Sequence, residues 1–299
     1  MREHTRFCMP QKLQHFVTIC HTGHTVCRPP AAIYGTMHNE TAFSRIQVPV
    51  PAPVTKGLFQ QGMDYLRDRW PLGHSLPVPL RFLKETGSQC DSPPWHVEAV
   101  AHRTPRRHVC IPCGWIARYL PQDTPVFEPG CGSGANLLWL ALKGFTQLSG
   151  SDIDPRVLHF SEHLQKYLGH SLETWQDNAL SPTRLPENQG AILSVNWLYH
   201  LPGTSLDAFM ETYRPCLKPD GVFVFDVISD RYNSVPNNRY HTEDWRKPES
   251  QRRPSEYTFR LSHADVECLA RKHGFRILRH TLIHSRPQRY AYMLGRAGL

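Results

Sequence analysis

Apolar and polar positions change their spacing along the chain at about residue 108. Beyond that point, short apolar runs alternate with stretches in which apolar residues recur at helical spacing. This alternation is typical of a parallel sheet wrapped by helices on both faces, so we predict an α/β fold with a doubly wound, mostly parallel sheet. The predicted strands are 125–128, 147–151, 191–195, 221–228, 275–283 and 289–295. The predicted helices are 112–119, 136–143, 155–168, 206–216 and 262–273.

The first hundred residues have no such pattern, apart from one short stretch at 57–69 in which Leu58, Met63 and Leu66 mark one face of a helix. Many of the 26 prolines lie here, and proline interrupts both helices and central strands. We therefore expect an irregular, Pro-rich N-terminal extension over 1–105 that covers the substrate pocket, and a single domain over 106–299.

A long polar segment, 229–257, follows the predicted strand 221–228. Loops of this length usually serve as lids, and this one leaves the carboxyl end of a strand, where open α/β sheets bind ligands. We interpret it as a lid-like insertion whose side chains suit an anionic or aromatic substrate; the alternative is a surface loop. These side chains are Arg231, Arg239, Arg246, Arg252, Arg253, Tyr232, Tyr240 and Trp245.

Composition narrows the class of protein. Apolar residues make up 40% and aromatic residues 10% of the chain, which is enough for a packed core. The nine cysteines are scattered without framework spacing and no secretory leader is evident, so we expect a cytoplasmic protein. No apolar run is long enough to span a membrane. The formal charge of +8 is local, because 231–296 contains 14 Lys or Arg against 6 Asp or Glu.

Glycines and two acids form the most informative motif. The predicted strand 125–128 runs into Glu128-Pro-Gly-Cys-Gly-Ser-Gly134, where glycine lets the backbone approach a ligand closely. Asp152 lies 20 residues after Gly132, at the end of the next strand, where a carboxylate can accept the hydroxyls of a ribose. The pattern predicts a ligand that carries a nucleoside.

The same residues also satisfy a dinucleotide fingerprint, with Gly130, Gly132 and Ala135 at its three small positions. Glu128 argues against this alternative, since a carboxylate beside a pyrophosphate would be repulsive by roughly 1 kcal/mol or more. The position of the motif along the chain also leaves no room downstream for a separate catalytic domain.

Gly130, Gly132 and Gly134, preceded by Glu128, resemble motif I of class I, S-adenosylmethionine-dependent methyltransferases. The resemblance covers about residues 108–299 and implies a Rossmann-like fold with seven strands and S-adenosylmethionine as cofactor. It implies that Glu128 orients the methionine part of the cofactor.

Further segments resemble later motifs of that family in the same order along the chain. Ser149-Gly-Ser-Asp-Ile-Asp154 implies Asp152 on the ribose and Ile153 against the adenine. Gln176-Asp-Asn-Ala179 implies that Asp177 accepts the adenine amino group, with Asn178 beside it. The chain departs from the family at Gly190, where an acid often precedes the fourth strand.

The segment after the fourth predicted strand carries the candidate catalytic residues Asn196, Tyr199 and His200, and Asn196 also borders the cofactor. Methyl transfer needs mainly alignment, with a base only for a protonated nucleophile. His200 is the candidate base, since the unperturbed pKa of histidine lies near 6.5. The alternative is that His200 only hydrogen-bonds a neighbouring loop. Asn196-Trp-Leu-Tyr199 matches the Asn-Pro-Pro-Tyr box of nucleic-acid amine methyltransferases in part, because both prolines are absent.

Cysteine and histidine cluster in two places, at Cys20, His24 and Cys27 and at Cys110 and Cys113. Together they could ligate zinc. Each cluster is weaker evidence than two Cys-x-x-Cys pairs would be, and 18 histidines make accidental clusters more frequent, so we expect no metal site.

The sequence therefore predicts an S-adenosylmethionine-dependent methyltransferase that acts on a small molecule at oxygen, nitrogen or carbon. One alternative is an RNA or protein methyltransferase that uses the basic C-terminal half, although no RNA-binding module accompanies it. Another is a catalytically silent cofactor-binding partner protein. The sequence argues against a nucleic-acid or membrane partner and gives no indication of an oligomeric state.

Overall fold

The computed structural model describes most of the chain from residue 75 onward. The described residues are 62–63, 66, 75–101, 106–201, 203–234, 244, 246–253, 257–285 and 287–297. Residues Val50–Leu299 belong to one compact unit. The division predicted at residue 105 stays a prediction, and most of the short helix expected within 57–69 lies outside the described residues.

The described residues form a seven-stranded sheet in the order β3-β2-β1-β4-β5-β7-β6. β7 is antiparallel to β5 and β6, and all other neighbours are parallel. This confirms the predicted fold class. The strands are β1 Val126–Pro129, β2 Leu148–Asp152, β3 Glu173–Gln176, β4 Gln189–Ser194, β5 Leu217–Ile228, β6 Phe275–Ile283 and β7 Arg289–Arg296.

Helices precede, connect and follow these strands. They are α1 Leu80–Gln89, α2 Pro94–Ala101, α3 Arg107–Tyr119, α4 Ala135–Ala141, α5 Pro155–Leu168, α6 Leu206–Tyr213 and α7 His263–Lys272. Short 3₁₀ turns occur at Leu198–His200, Arg214–Cys216, Asp230–Ser234 and Glu249–Gln251. In the part of the chain described, no helix is both long and apolar enough to cross a membrane.

Alternation along β5 divides the core between the two faces of the sheet. Val222 and Val224 pack in the cluster that contains Trp115 of α3. Phe223 and Phe225 point the other way, into the cluster formed with α6 and α7. Successive side chains of a strand point to opposite faces, so a continuous apolar run produces a strand that is buried on both.

Two helices, α1 and α2, form where we had identified no regular pattern. The buried positions of α1 are Leu83, Thr86 and Gly87, and only one of these is a large apolar residue. A Cβ atom on Gly87 would lie 2.4 Å from Val97 of α2, so the two helices are in close contact at the glycine. Hydrophobic periodicity misses such a helix because its packing face is built from small residues.

The strand β3 was also missed by the sequence pattern. Its residues Glu173–Gln176 are exposed or half-buried, and it lies at the edge of the sheet, paired with β2 alone. An edge strand of four residues with polar ends has too little apolar content to be distinguished from a loop.

A complete capping box starts α7. Ser262 accepts a hydrogen bond from the backbone N–H of Asp265 at 3.1 Å, and Asp265 accepts one from the Ser262 N–H at 2.8 Å. Replacing Ser262 with Ala should lower the free energy of unfolding by about 1 kcal/mol, since one N–H of the first turn loses its acceptor. Urea denaturation measures this. Ser262→Asn, which keeps an acceptor, should lose less; equal losses in the two variants would contradict a capping role.

Candidate active site

The glycine turn after β1 adopts a backbone that other residues disfavour. Gly130 and Gly132 have φ angles of +67° and +53°. A Cβ atom on Gly130 would lie 2.9 Å from the Trp197 ring, and one on Gly132 would lie 2.8 Å from the His96 ring. Both positions therefore require glycine for conformation and for space. The turn is covered by one side chain from the segment after β4 and one from α2.

Asp152 ties this turn to the end of β2. Its Oδ2 accepts a hydrogen bond from the Gly132 N–H at 2.8 Å, and its Oδ1 accepts one from the Asp154 N–H at 3.0 Å. A carboxylate oxygen has two lone pairs, so each retains capacity for a ligand hydroxyl. The next residue, Ile153, is 62% exposed. Its apolar side chain is therefore accessible to the ring of a ligand.

Glu128 is buried at the end of β1 with one oxygen satisfied. Oε1 accepts a hydrogen bond from Asn136 Nδ2 at 2.6 Å, while Oε2 has no partner among the described residues. Burial raises the pKa of Glu128 to about 8. A buried acceptor without a donor is costly, so this oxygen calls for a proton or a cationic group.

Asp177 and Asn178 organise the loop that follows β3. The Asp177 carboxylate accepts from the backbone N–H groups of Thr183 and Arg184, each at 3.0 Å, and these bonds help hold its pKa below the ordinary value against the effect of burial. Asn178 Oδ1 accepts from the Leu180 N–H at 3.0 Å. The Asp177 carboxylate is thus occupied by hydrogen bonds from its own loop.

Near the end of β5, the buried carboxylate of Asp226 accepts hydrogen bonds from three donors. Its Oδ1 accepts from the Asn196 N–H at 2.7 Å, and its Oδ2 accepts from the Tyr199 hydroxyl at 2.7 Å and from Arg289 Nη1 at 3.0 Å. Asn196 has a φ of +61°, in the left-handed region. The carboxylate holds this strained residue by its backbone and Tyr199 by its hydroxyl.

A basic group lies beside Asp226. Burial lowers the pKa of Arg289 to about 9, with the charge of Arg106 as the second cause, so the guanidinium stays charged at neutral pH. Burial also lowers the pKa of His108 to about 2, and its Asn196 hydrogen bond opposes this shift. His108 is consequently a neutral imidazole at the start of α3.

His200 lies in the 3₁₀ turn after β4. Its ring centroid is 4.9 Å from that of Tyr199 and 5.2 Å from that of Tyr257. It is also close enough to His108 to influence the pKa of that imidazole. The three predicted residues Asn196, Tyr199 and His200 are thus brought together, with the Tyr199 hydroxyl committed to Asp226.

The two ends of the polar segment 229–257 pack against the same turn. Tyr232 and Tyr257 are buried with Tyr199, and the Thr258 N–H donates to the Tyr199 carbonyl at 2.7 Å.

Within this segment, the buried carboxylate of Asp244 pairs with Arg253 at 2.8 Å and with Lys247 at 2.7 Å. Arg253 is therefore engaged internally. Of the other expected substrate contacts, Arg239, Tyr240 and Trp245 lie outside the described residues.

Four residues that the sequence reasoning missed also border the site: His96, His108, Asp226 and Arg289. Asp226 had a visible signal, an acid within Val222-Phe-Val-Phe-Asp-Val-Ile228. The other three reach the site only through the packing of α2, α3 and β7.

Of the cysteines considered for zinc, Cys110 and Cys113 are buried in α3, and burial raises the pKa of the Cys113 thiol well above its ordinary value. Cys20, His24 and Cys27 lie outside the described residues.

Comparison with known proteins agrees with this architecture. Residues 126–221 match the family model described as a methyltransferase domain. No curated protein matches the chain.

Several solved structures are similar to this chain. A SAM-dependent methyltransferase from Methanosarcina mazei is 17% identical, with a TM-score of 0.50, over 60% of this chain and 96% of that one. A magnesium protoporphyrin IX methyltransferase from Synechocystis PCC 6803 with bound SAH is 15% identical, with a TM-score of 0.49, over 79% and 95%. A protein from Pyrococcus horikoshii OT3 is 19% identical, with a TM-score of 0.48, over 62% and 87%.

The strand order and the glycine turn define a Rossmann-like, nucleoside-binding fold. Residues 126–221, which match the methyltransferase-domain model, lie within this fold, and S-adenosylmethionine is the cofactor that such a domain implies. The site fits that cofactor, which carries an ammonium group and a ribose. The unsatisfied Glu128 oxygen suits an ammonium group, and the Asp152 oxygens suit vicinal hydroxyls.

The raised pKa of Glu128 makes the stability of the cofactor-free protein depend on pH. The folded protein retains this proton up to about pH 8, whereas the unfolded chain releases it near 4.3. The contribution of Glu128 is thus fully present below pH 4.3 and is lost as the pH rises through 8.

Relative to Glu128→Gln, the wild-type free energy of unfolding should fall between pH 5 and 8 and then level off. Urea denaturation across that range measures the difference, with the exposed Glu211→Gln as control. Parallel pH profiles for wild type and Glu128→Gln would show that the carboxyl is not perturbed.

Proposed function

We propose that this protein transfers the methyl group of S-adenosylmethionine to a small anionic acceptor bound at the carboxyl ends of β4 and β5. His200 acts as the general base, and Asn196 and Tyr199 position the acceptor side. The following contacts support this proposal.

The contact between Trp197 and Gly130 carries the proposal. Because its indole ring covers the glycine turn, Trp197 brings the segment that it shares with Asn196 and His200 to the edge of the cofactor site. An acceptor bound by this segment would be adjacent to the cofactor, and alignment of nucleophile and methyl group is the main requirement of the reaction.

We assign the cofactor contacts as follows. Glu128 binds the ammonium group, which replaces the proton on its unsatisfied oxygen. Asp152 accepts the ribose hydroxyls, and the exposed Ile153 packs against the adenine. Asp177 and Asn178 act through the backbone of their loop, since their side chains are engaged there.

The charges around Asp226 favour an anionic acceptor. Arg289 and Arg106 lie close enough for their charges to interact, and Asp226 neutralises one of them. His108 stays neutral, so these four groups together carry a surplus of about one positive charge. A carboxylate or a similar small anion would balance it.

When bound, the cofactor supplies an activated methyl group: its carbon–sulfur bond breaks as the acceptor's lone pair forms the new bond, and S-adenosylhomocysteine remains. In our proposal, the His200 imidazole takes the proton from the methyl acceptor. His108 is too weak a base for this step, because its pKa of about 2 leaves it little affinity for a proton. Asp226 holds Tyr199 and Asn196 in place around the reacting atoms.

An RNA or protein acceptor receives less support from the structure. Several basic residues of the C-terminal half are paired with carboxylates: Arg253 and Lys247 with Asp244, and Lys272 with Asp207. These pairs reduce the charge that is available to a phosphate backbone.

Production of S-adenosylhomocysteine tests the proposal directly. The purified chain is incubated with cofactor and, separately, with an anionic small-metabolite fraction, a cationic fraction, total RNA and a protein extract. Turnover with the anionic fraction supports the proposal. Turnover only with RNA or protein would overturn it, and so would cofactor binding without turnover in any fraction.

Asp152→Ala should weaken cofactor binding by about 1.5 to 3 kcal/mol, the range for hydrogen bonds to a charged group. Asp152→Asn should lose less because it keeps one acceptor oxygen. Calorimetric titration with S-adenosylhomocysteine gives the dissociation constants. Asp154→Ala is the control, since that side chain is paired with Arg156. A wild-type constant in both Asp152 variants would exclude Asp152 from the ribose site.

His200→Gln should lower kcat by about 10²- to 10⁴-fold, the usual contribution of a general base. The dissociation constant of the cofactor should not change. His284→Gln, an exposed histidine outside the site, provides the matched control. Unchanged kcat in His200→Gln would remove the base from the mechanism and leave alignment as the source of catalysis.

A further inference from the structure

A cysteine and two histidines converge between α1 and α5. Cys90 follows directly after α1, and His159 and His163 lie four residues apart on α5. The Cys90 sulfur and one nitrogen of each imidazole all lie within 4.8 Å of one another. Cys90 is buried, His163 is half-buried and His159 is exposed.

The spacing of the two histidines brings both imidazoles to one face. Residues at i and i+4 are neighbours on a helix surface, and the two ring centroids are 5.0 Å apart. The thiol then approaches from a different element. This is the arrangement by which a helix and an adjacent chain segment share a metal ion.

The donor atoms select the kind of ion. One thiolate and two imidazole nitrogens are ligands for zinc and related transition metals, whereas calcium and magnesium require oxygen ligands. Around a tetrahedral zinc ion the ligand atoms are about 3.3 to 3.7 Å apart, given bonds of about 2.3 Å to sulfur and 2.0 to 2.1 Å to nitrogen. The exposed His159 has room to make this adjustment.

Charge also favours a cation here. The Glu162 carboxylate, on the same turn of α5, is close enough to Cys90 to add to the effect of burial, and both raise the pKa of the thiol.

We propose that Cys90, His159 and His163 form a binding site for zinc(II), with the fourth coordination position open to solvent at His159. The ion joins the end of α1 to the middle of α5. This junction already contains the Phe82–Tyr167 ring contact at 4.4 Å and the Arg156–Asp91 ion pair at 3.4 Å. The site is distinct from the cysteines of the first thirty residues and from the Cys110–Cys113 pair.

Through α2, the junction also bears on the active site. α2 follows Cys90 by a few residues and carries His96, whose ring lies over Gly132. An ion bound at Cys90 would therefore fix the segment that leads into α2 and so the position of His96 over Gly132.

Zinc titration of the full chain tests the proposal. After removal of metal with a chelator, zinc is added in competition with a chromophoric chelator, for the wild type, Cys90→Ser, His163→Ala and His159→Ala. We expect the wild type to bind one zinc ion that Cys90→Ser and His163→Ala lose, with at least about tenfold weaker binding in His159→Ala. The controls are His170→Ala, just past the end of α5, and Cys20→Ser; both should keep the ion.

Cobalt(II) provides a second readout, since a thiolate ligand gives a sulfur-to-metal charge-transfer band. The band should be present in the wild type and absent in Cys90→Ser. If Cys90→Ser does not fold, the exposed His159→Ala still tests the site. Undiminished zinc binding in His159→Ala and His163→Ala would overturn the proposal, as would loss of the ion in Cys20→Ser with retention in Cys90→Ser.

Discussion

The buried carboxylate of Asp226 must be hydrogen-bonded, and this requirement determines the structure at the carboxyl ends of β4 and β5, where we place the methyl acceptor. An acid in the middle of a buried strand must be paired or fully hydrogen-bonded, because the cost of burying an isolated charge is several kcal/mol. Asp226 meets this requirement with a backbone N–H from Asn196, a hydroxyl from Tyr199 and a guanidinium from Arg289. Three separate elements are thereby fixed relative to one another at the carboxyl ends of the central strands.

The strained backbone of Asn196 follows from the same interaction. A non-glycine residue at a φ of +61° is costly, and such a residue persists where its surroundings determine it. The N–H bond to Asp226 holds Asn196 in this conformation, and the next residue, Trp197, then covers Gly130. The turn after β4 is thus coupled physically to the turn after β1, where we propose that the cofactor and the acceptor meet.

The helices α1 and α2 extend this arrangement to the other side of the glycine turn. His96 comes from α2, and Asp152 and Asp154 both favour the charged form of its imidazole, although burial has the larger effect and lowers its pKa. The part of the N-terminal region described here therefore contributes a side chain to the site. The proposed zinc ion would strengthen the attachment of that region at Cys90, between α1 and α2.

By itself, the sequence determined the features that depend on local patterns. The positions of β1, β4 and β5 follow from their apolar content, and the span of α5 from its proline start and glycine end. The glycine turn and Asp152 could be recognised because their spacing is fixed by one strand–turn–helix unit.

Other features were decided only by the tertiary structure. Arg289 is 63 residues from Asp226 along the chain, and they meet because β7 pairs antiparallel with β5. The Asp177 carboxylate matched a familiar segment, yet it is engaged by its own loop, which no motif records. Cys90 and His159 likewise meet only through the packing of α1 on α5. Side chains distant in sequence are brought together by strand order and helix packing, whereas periodicity along the chain reports only which face each residue buries.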